Sequence, residues 1–318
     1  MPTYKIRGID VDFPYEAYDS QLVYMEKVMQ SLQEERNALL ESPTGTGKTL
    51  CLLCATLAFR KSLGSFTTGL IITTDKGKHE ISSSRSGAFP TIVYASRTHS
   101  QIRQVIQELK RTSYRPKMTV LGSREQFCIH DKVKLLRGTT QTNACRSACR
   151  RKAKSKRCDH FNKVVYYLKD NPTIGEEPVD IEDLVNIGRT SGSYVFSTVL
   201  CPYYLSKEIH KAVDIIFAPY NYLIDRRNRK SLQLSWSNSI LIFDEAHNLE
   251  SICAEAASFD LPSWLLTACI SEAQSCVDLS IERRNKPNER RNKSNDTLHN
   301  ADDFAILKGE LNFYKMLV

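Results

Sequence analysis

Ser42-Pro43-Thr44-Gly45-Thr46-Gly47-Lys48-Thr49 and, far downstream, Asp244-Glu245-Ala246-His247 are the residues of this chain best equipped for chemistry. The first run offers glycine-rich backbone N–H groups, an ammonium for β/γ-phosphates and a hydroxyl for Mg²⁺. The second offers one carboxylate to hold that Mg²⁺ and another to orient an attacking water. Together they point to hydrolysis of a nucleoside triphosphate. The strict Gly-x-x-x-x-Gly-Lys-[Ser/Thr] pattern departs at its first position, Ser42. Gly45 and Gly47 still relieve the tight turn where phosphate approaches the backbone.

Motifs of this kind must be delivered by secondary structure. Each follows an apolar run, Ala38-Leu39-Leu40 and Ile240-Leu241-Ile242-Phe243, which predicts two parallel strands ending at the phosphate. Leu50 to Phe59 is apolar nearly all round, as a helix buried against a sheet would be. A further helix is expected from about Gln21 to Glu35. Residues 62–90, rich in Ser, Thr, Gly and Lys, read as a flexible insertion. Thr91–Ala95 reads as a strand leading into an amphipathic helix with Ile102, Val105, Ile106 and Leu109 on one side. Met118–Leu121 is another short strand, and the strand rhythm returns at Asp214–Asn221. After Asp260 the chain turns helical, then polar from Arg283 to Asn300. Strands alternating with helices imply a doubly wound α/β domain. The expected divisions are a motor domain in two parts, 1–121 and 208–260, an insert over 122–207, and a helical start with polar tail over 261–318.

The whole chain sets limits on function. Its 318 residues, 41% hydrophobic and 25% charged, are ordinary globular material. No apolar run is long enough to cross a membrane and the first residues lack a signal-peptide core, so an intracellular protein without a membrane partner is expected. A net charge of +8 favours a polyanionic partner. Seven basic residues lie among the twelve from Arg146 to Arg157, and six among the eleven from Arg283 to Lys293. Such runs are either a nucleic-acid grip or solvated surface. Ten cysteines inside a cell argue against a disulfide framework. Cys51 and Cys54, in the apolar helix, are expected to be core thiols. Cys128, Cys145, Cys149, Cys158 and Cys201 fall in the insert, where spread thiolates suit an iron–sulfur cluster; scattered buried thiols are the alternative.

Glu41–Thr49, Tyr94-Ala95-Ser96-Arg97-Thr98-His99-Ser100-Gln101 and Phe243–Asn248 resemble the motifs of the iron–sulfur superfamily-two DNA helicases. Supporting runs are Leu121–Gln126, Asp180–Val185 and Cys201-Pro202-Tyr203-Tyr204-Leu205-Ser206, so the resemblance covers about residues 1–275. It implies a RecA-like motor domain using ATP and Mg²⁺, a four-iron, four-sulfur (4Fe-4S) cluster, and action on single-stranded and branched DNA. It also implies a nuclear role in telomere maintenance, DNA repair and recombination control.

Carried over by residue, the resemblance makes Gln21 a reader of adenine and Lys48, Asp244 and Glu245 catalytic. It makes His247 the coupler of hydrolysis to DNA movement, and Ser96, Arg97 and Thr98 DNA-backbone contacts. Cys128, Cys149, Cys158 and Cys201 become cluster ligands. Cys145 competes with Cys149 for the second place. Tyr194–Leu200 looks like an apolar insertion before Cys201. No second motor domain is expected within these residues, so the resemblance implies ATP and DNA binding with very slow turnover and no unwinding by this chain. Two rivals are a fragment that binds ATP and DNA without turnover, and a metabolic P-loop enzyme.

Overall fold

The chain opens with a hairpin, β1 (Thr3–Ile6) and β2 (Ile9–Asp12), closed by Arg7 and Gly8. Both turn residues have positive φ, 46° and 86°, the backbone that a two-residue hairpin turn needs. Helix α1 (Asp19–Gln33) follows, then the glycine loop and α2 (Lys48–Leu63). The computed structural model describes residues 1–68, 70–75, 78–82, 89–150, 158–190, 199–232 and 236–285. A second hairpin pairs β3 (Ile71–Asp75) with β4 (Lys78–Ser82). The segment read as a flexible insertion thus carries a paired ladder, because Ile71-Ile72-Thr73-Thr74 is β-branched throughout. Residues 69, 76–77 and 83–88 of that segment lie outside the described residues.

β5 (Thr91–Ser96), α3 (His99–Arg111) and β6 (Met118–Val120) come next. The insert over 122–207 is helical among its described residues: α4 (Arg124–Phe127), α5 (Gly138–Arg150), α6 (Asp159–Asn162), α7 (Val164–Asp170), α8 (Ile181–Thr190) and α9 (Pro202–Ile209). Then come β7 (Ile215–Pro219), α10 (Asn221–Ile224), α11 (Arg226–Ser231) and β8 (Ser239–Phe243). They are followed by α12 (Leu249–Ala257) and α13 (Ser263–Asn285). Met1–Cys253 forms one compact unit and Ala254–Val318 another. The helical expectation after Asp260 is met by α13, whereas the polar run beyond it, from 286, lies outside the described residues. No helix among the described residues is long and apolar enough to cross a membrane.

Layering follows from side-chain alternation. The four-stranded parallel sheet runs β6–β7–β5–β8. Successive side chains of a strand point to opposite faces. Ile92 and Tyr94 of β5, with Ile215 and Phe217 of β7, enter one core with α1, α2 and α3. Ile216 and Ala218 enter a second core that holds residues of α7, α8 and α9. Val93 and Ala95 pack with Tyr220 and Leu223. A strand apolar at every position needs cover on both faces, and the helices supply it. The expected α/β class is what the structure has.

One expected strand is missing. Ala38-Leu39-Leu40 forms none, and Leu39 is 91% exposed. Among the described residues β8 ends the sheet on that side, and Leu241 is 44% exposed there. These three residues do not extend the open edge of β8. The glycine loop is therefore held by α1 and α2.

What fixes α2 is buried charge. Arg60, near its end, donates to Asp214 at 2.6 Å, and the two side chains are 3% and 0% exposed. Asp214 also accepts from Thr67 N at 2.8 Å, Thr67 Oγ1 at 2.9 Å and Lys117 N at 3.0 Å. Removing one partner of a buried pair strands the other charge without water. Asp214→Ala is expected to lower the unfolding free energy by about 3–5 kcal/mol. Denaturant titration would check this, and a loss under about 1 kcal/mol would show that the pair does not hold α2.

Candidate phosphate site and cysteine hollow

The glycine loop folds on itself. Gly45 and Gly47 have φ of +82° and +73°, conformations where a Cβ is strained, and Gly47 caps α2. Thr46 Oγ1 lies 2.7 Å from Ser42 Oγ and donates to the Pro43 carbonyl at 2.8 Å. The Lys48 ammonium donates to the carbonyls of Ser42 and Pro43, at 2.9 and 3.3 Å. Those are loop contacts that an incoming phosphate would replace with charge-assisted ones. The start of α2 adds its orphan N–H groups and positive end.

Gln21 touches this loop directly. Its Nε2 donates to the Thr46 carbonyl at 2.9 Å and its Oε1 accepts from Tyr18 N at 3.0 Å. A Cβ added at Gly47 would sit 2.9 Å from that Nε2. Both polar ends of the side chain are thus committed to backbone, so base reading would need one of them released.

Asp244 leaves β8 with its N–H donating to the Ala95 carbonyl at 2.9 Å, while Tyr220 OH donates to its own carbonyl. Burial pushes the Asp244 carboxyl above the usual carboxylate range, with Glu245 adding to the rise and Lys48 opposing it. The Tyr94 hydroxyl is buried between Thr49 and Asp244 and engages both side chains. A threonine hydroxyl and a carboxylate held side by side offer oxygen donors to a hydrated cation. The oxygen donors and their flanking phosphate lysine suit Mg²⁺. Glu245 holds φ of +59°, a left-handed conformation uncommon outside glycine and maintained only where the surroundings dictate it. Its carboxylate lies 3.3 Å from His247 Nδ1, and Asn248 Nδ2 donates to its carbonyl at 3.1 Å. Arg97 donates to Asn248 Oδ1 at 3.0 Å, joining the two motif loops.

Two of the expected DNA contacts have other work. Ser96 is fully buried and bonds Gln101 Oε1 at 3.0 Å, so it cannot meet a phosphate as folded. Thr98 caps α3, accepting from Gln101 N at 3.3 Å. Arg97 and Thr98 are exposed. Cys51 and Cys54 are core thiols, 1% and 0% exposed, and burial pushes Cys51 up to about 12.

Far from these loops in sequence, Cys128, Cys145, Cys149, Cys158 and Cys201 line one hollow with His130, His160 and Tyr204. Local structure puts them there. Cys128 ends α4, Cys158 begins α6 and Cys201 begins α9, while Cys145 and Cys149 are one turn apart in α5. Cys158 N donates to the Ala148 carbonyl at 3.1 Å and Cys201 N to the His160 carbonyl at 2.9 Å. Cys149 hydrogen-bonds both Cys145 and Cys158, and those bonds hold the Cys145 and Cys158 thiols below the usual thiol range and the Cys149 thiol above it. Arg124, stacked 4.3 Å over Tyr203, adds to the depression at Cys145. Among the described residues no three His, Cys, Asp or Glu side chains converge to hold a single metal ion. A polynuclear cluster keeps its thiolates apart, and a hollow of five thiols matches that donor chemistry. Residues 151–157 of the basic run and 194–198 of the supposed insertion before Cys201 lie outside the described residues.

Sequence reading overlooked Tyr94, Tyr220, Arg124 and Tyr204. By pattern each is an ordinary residue of a strand, a helix or, for Tyr220, the turn between β7 and α10, and only proximity to Asp244 or to the cysteines distinguishes it.

A parallel sheet with an acidic strand end, together with a glycine loop opening the helix α2, defines a P-loop motor domain of the nucleotide-hydrolysing class. A family profile described as DEAD_2 matches residues 94–266, and the chain belongs to that family of iron–sulfur superfamily-two helicases. It is 61% identical over 98% of its length to a regulator of telomere elongation helicase 1 homolog from Arabidopsis thaliana, covering 29% of that protein. To the regulator of telomere elongation helicase 1 from Homo sapiens it is 42% identical, over 82% of this chain and 22% of that one. The chain thus spans less than a third of the length of these relatives. A solved structure titled XPD helicase superposes with a TM-score of 0.49 at 17% identity, over 94% of this chain and 48% of that one.

If Gln21 braces the loop, Gln21→Ala will weaken ATP and inorganic tripolyphosphate alike, by up to about tenfold for one hydrogen bond. Calorimetric titration with both ligands decides it. A loss confined to adenine nucleotides would instead assign Gln21 to the base.

Proposed function

We propose that this chain is the ATP-binding motor lobe of an iron–sulfur DNA helicase that works in the nucleus in telomere maintenance, DNA repair and recombination control. The observation carrying this reading is that folding brings Thr49 and Asp244 together at the buried Tyr94 hydroxyl, with the Lys48 charge near Asp244. On phosphate entry Lys48 leaves the Ser42 and Pro43 carbonyls for the β/γ-phosphates, with the glycine-loop N–H groups beside it. Thr49 and Asp244 hold Mg²⁺, Asp244 through water. Glu245 orients the attacking water, which its strained backbone aims away from the strand. His247 reports the state of that carboxylate through Asn248 to Arg97, on the loop after β5.

Cys128, Cys149, Cys158 and Cys201 are the proposed ligands of a 4Fe-4S cluster. When bound, that cluster supplies a cross-link among α4, α5, α6 and α9. Single-stranded and branched DNA are the proposed substrates, with the basic run Arg146–Arg157 gripping phosphates. The names of the relatives and the net charge of +8 support this choice.

Three measurements test the reading on the purified chain. Mg·ATP should bind, and Lys48→Ala should weaken it by at least about tenfold, the value of one charged hydrogen bond; equal affinities would remove the phosphate assignment. Protein isolated without oxygen should carry about four irons per chain, whereas stoichiometric zinc without iron would refute the cluster. Single-stranded DNA should bind with a salt slope of up to about −5 if all seven basic side chains engage. A slope near zero would remove that run from the DNA path.

A further inference from the structure

Five thiols line a hollow whose proposed occupant takes four. Two of them, Cys145 and Cys149, sit at i and i+4 on α5, so one rigid helix presents both to the same space. They are hydrogen-bonded to each other. They differ in access, since Cys149 is buried and Cys145 half-exposed. Their surroundings serve either sulfur. The Tyr204 hydroxyl reaches both, and Arg124 reaches Cys145. Whichever sulfur stays off the metal keeps a polar partner, so neither arrangement leaves a buried group stranded. Cys128, Cys158 and Cys201 each stand at the end of a helix that carries no second cysteine.

We infer that Cys145 and Cys149 are interchangeable ligands: one thiolate from this turn of α5 completes the cluster, and the other stands in when the first is lost. The inference rests on the proposed cluster and deepens it. The exchange breaks one iron–thiolate bond and forms another, the incoming thiol releasing its proton and the outgoing thiolate taking one up, with no oxidant or reductant involved. Cys149, nearer to Cys158 and buried, is the resident ligand.

The experiment compares the wild type, Cys145→Ala, Cys149→Ala, the double variant and Cys158→Ala, all purified without oxygen. Iron per chain, visible absorbance and helical circular dichroism are read for each. Iron should survive in both single α5 variants at half the wild-type content or more, and be nearly lost in the double variant and in Cys158→Ala. A second readout avoids the double variant altogether. Brief iodoacetamide treatment followed by peptide mass mapping should label Cys145 in the wild type and leave Cys149 unlabelled. In Cys149→Ala, Cys145 should become protected. Iron lost from Cys149→Ala as fully as from the double variant would overturn the exchange. So would equal labelling of Cys145 with and without Cys149, or iron lost from Cys145→Ala alone. A wild type without iron would fell the cluster reading itself and the exchange with it, which separates the two failures.

Discussion

A single buried carboxylate holds the nucleotide helix to the sheet. Asp214 stands at the start of β7 and takes hydrogen bonds from α2, from Thr67 and from the residue before β6. Its own backbone continues the ladder, with Ile92 N donating to its carbonyl. Three segments far apart in sequence therefore meet at one charge. The phosphate loop has no strand of its own beneath it, so the position of α2 depends on this node and on its packing with α1. A misplaced α2 would misplace Lys48 and Thr49 together.

The chemistry of the site depends on charges brought close in a shielded place. Asp244 is raised by burial and by Glu245, and restrained by Lys48. That balance readies a carboxylate for a cation, since a divalent ion would relieve the repulsion between the two acidic side chains. The left-handed backbone at Glu245 belongs to the same economy of space. It turns consecutive carboxylates in different directions, so that one faces the phosphate helix and the other reaches His247. Through Asn248 and Arg97 the Glu245 backbone is tied to the loop after β5.

The cysteine hollow answers to a different constraint. Its helices are short, four residues in α4 and in α6, and such pieces have little stability alone. They hold together because helix ends place thiols side by side and because Cys158 and Cys201 bond backbone groups of neighbouring segments. The proposed cluster would add a cross-link among these short pieces.

Much of this was legible in the residues. The glycine loop, Lys48-Thr49 and the acidic motif announced themselves because phosphate chemistry demands those types at those spacings, and the apolar runs of β5 and β7 read as strands. Ile102, Val105, Ile106 and Leu109 gave α3 its buried side before any coordinates. Cys51 and Cys54 could be placed in the core because their helix is apolar throughout. Other features depend on partners distant in sequence, which local pattern does not encode. Ala38-Leu39-Leu40 has strand composition but does not pair with the open edge of β8. Ser96 looked available for DNA yet lies inside the sheet. Gln21 serves the phosphate loop because α1 packs beside it, and Tyr94 matters because folding leaves its hydroxyl between Thr49 and Asp244. The sequence alone determined which groups could hold a phosphate or a metal, since that is fixed by side-chain chemistry. Only the tertiary structure decided which of them meet, because burial, strain and hydrogen-bond satisfaction arise between segments that the chain itself keeps apart.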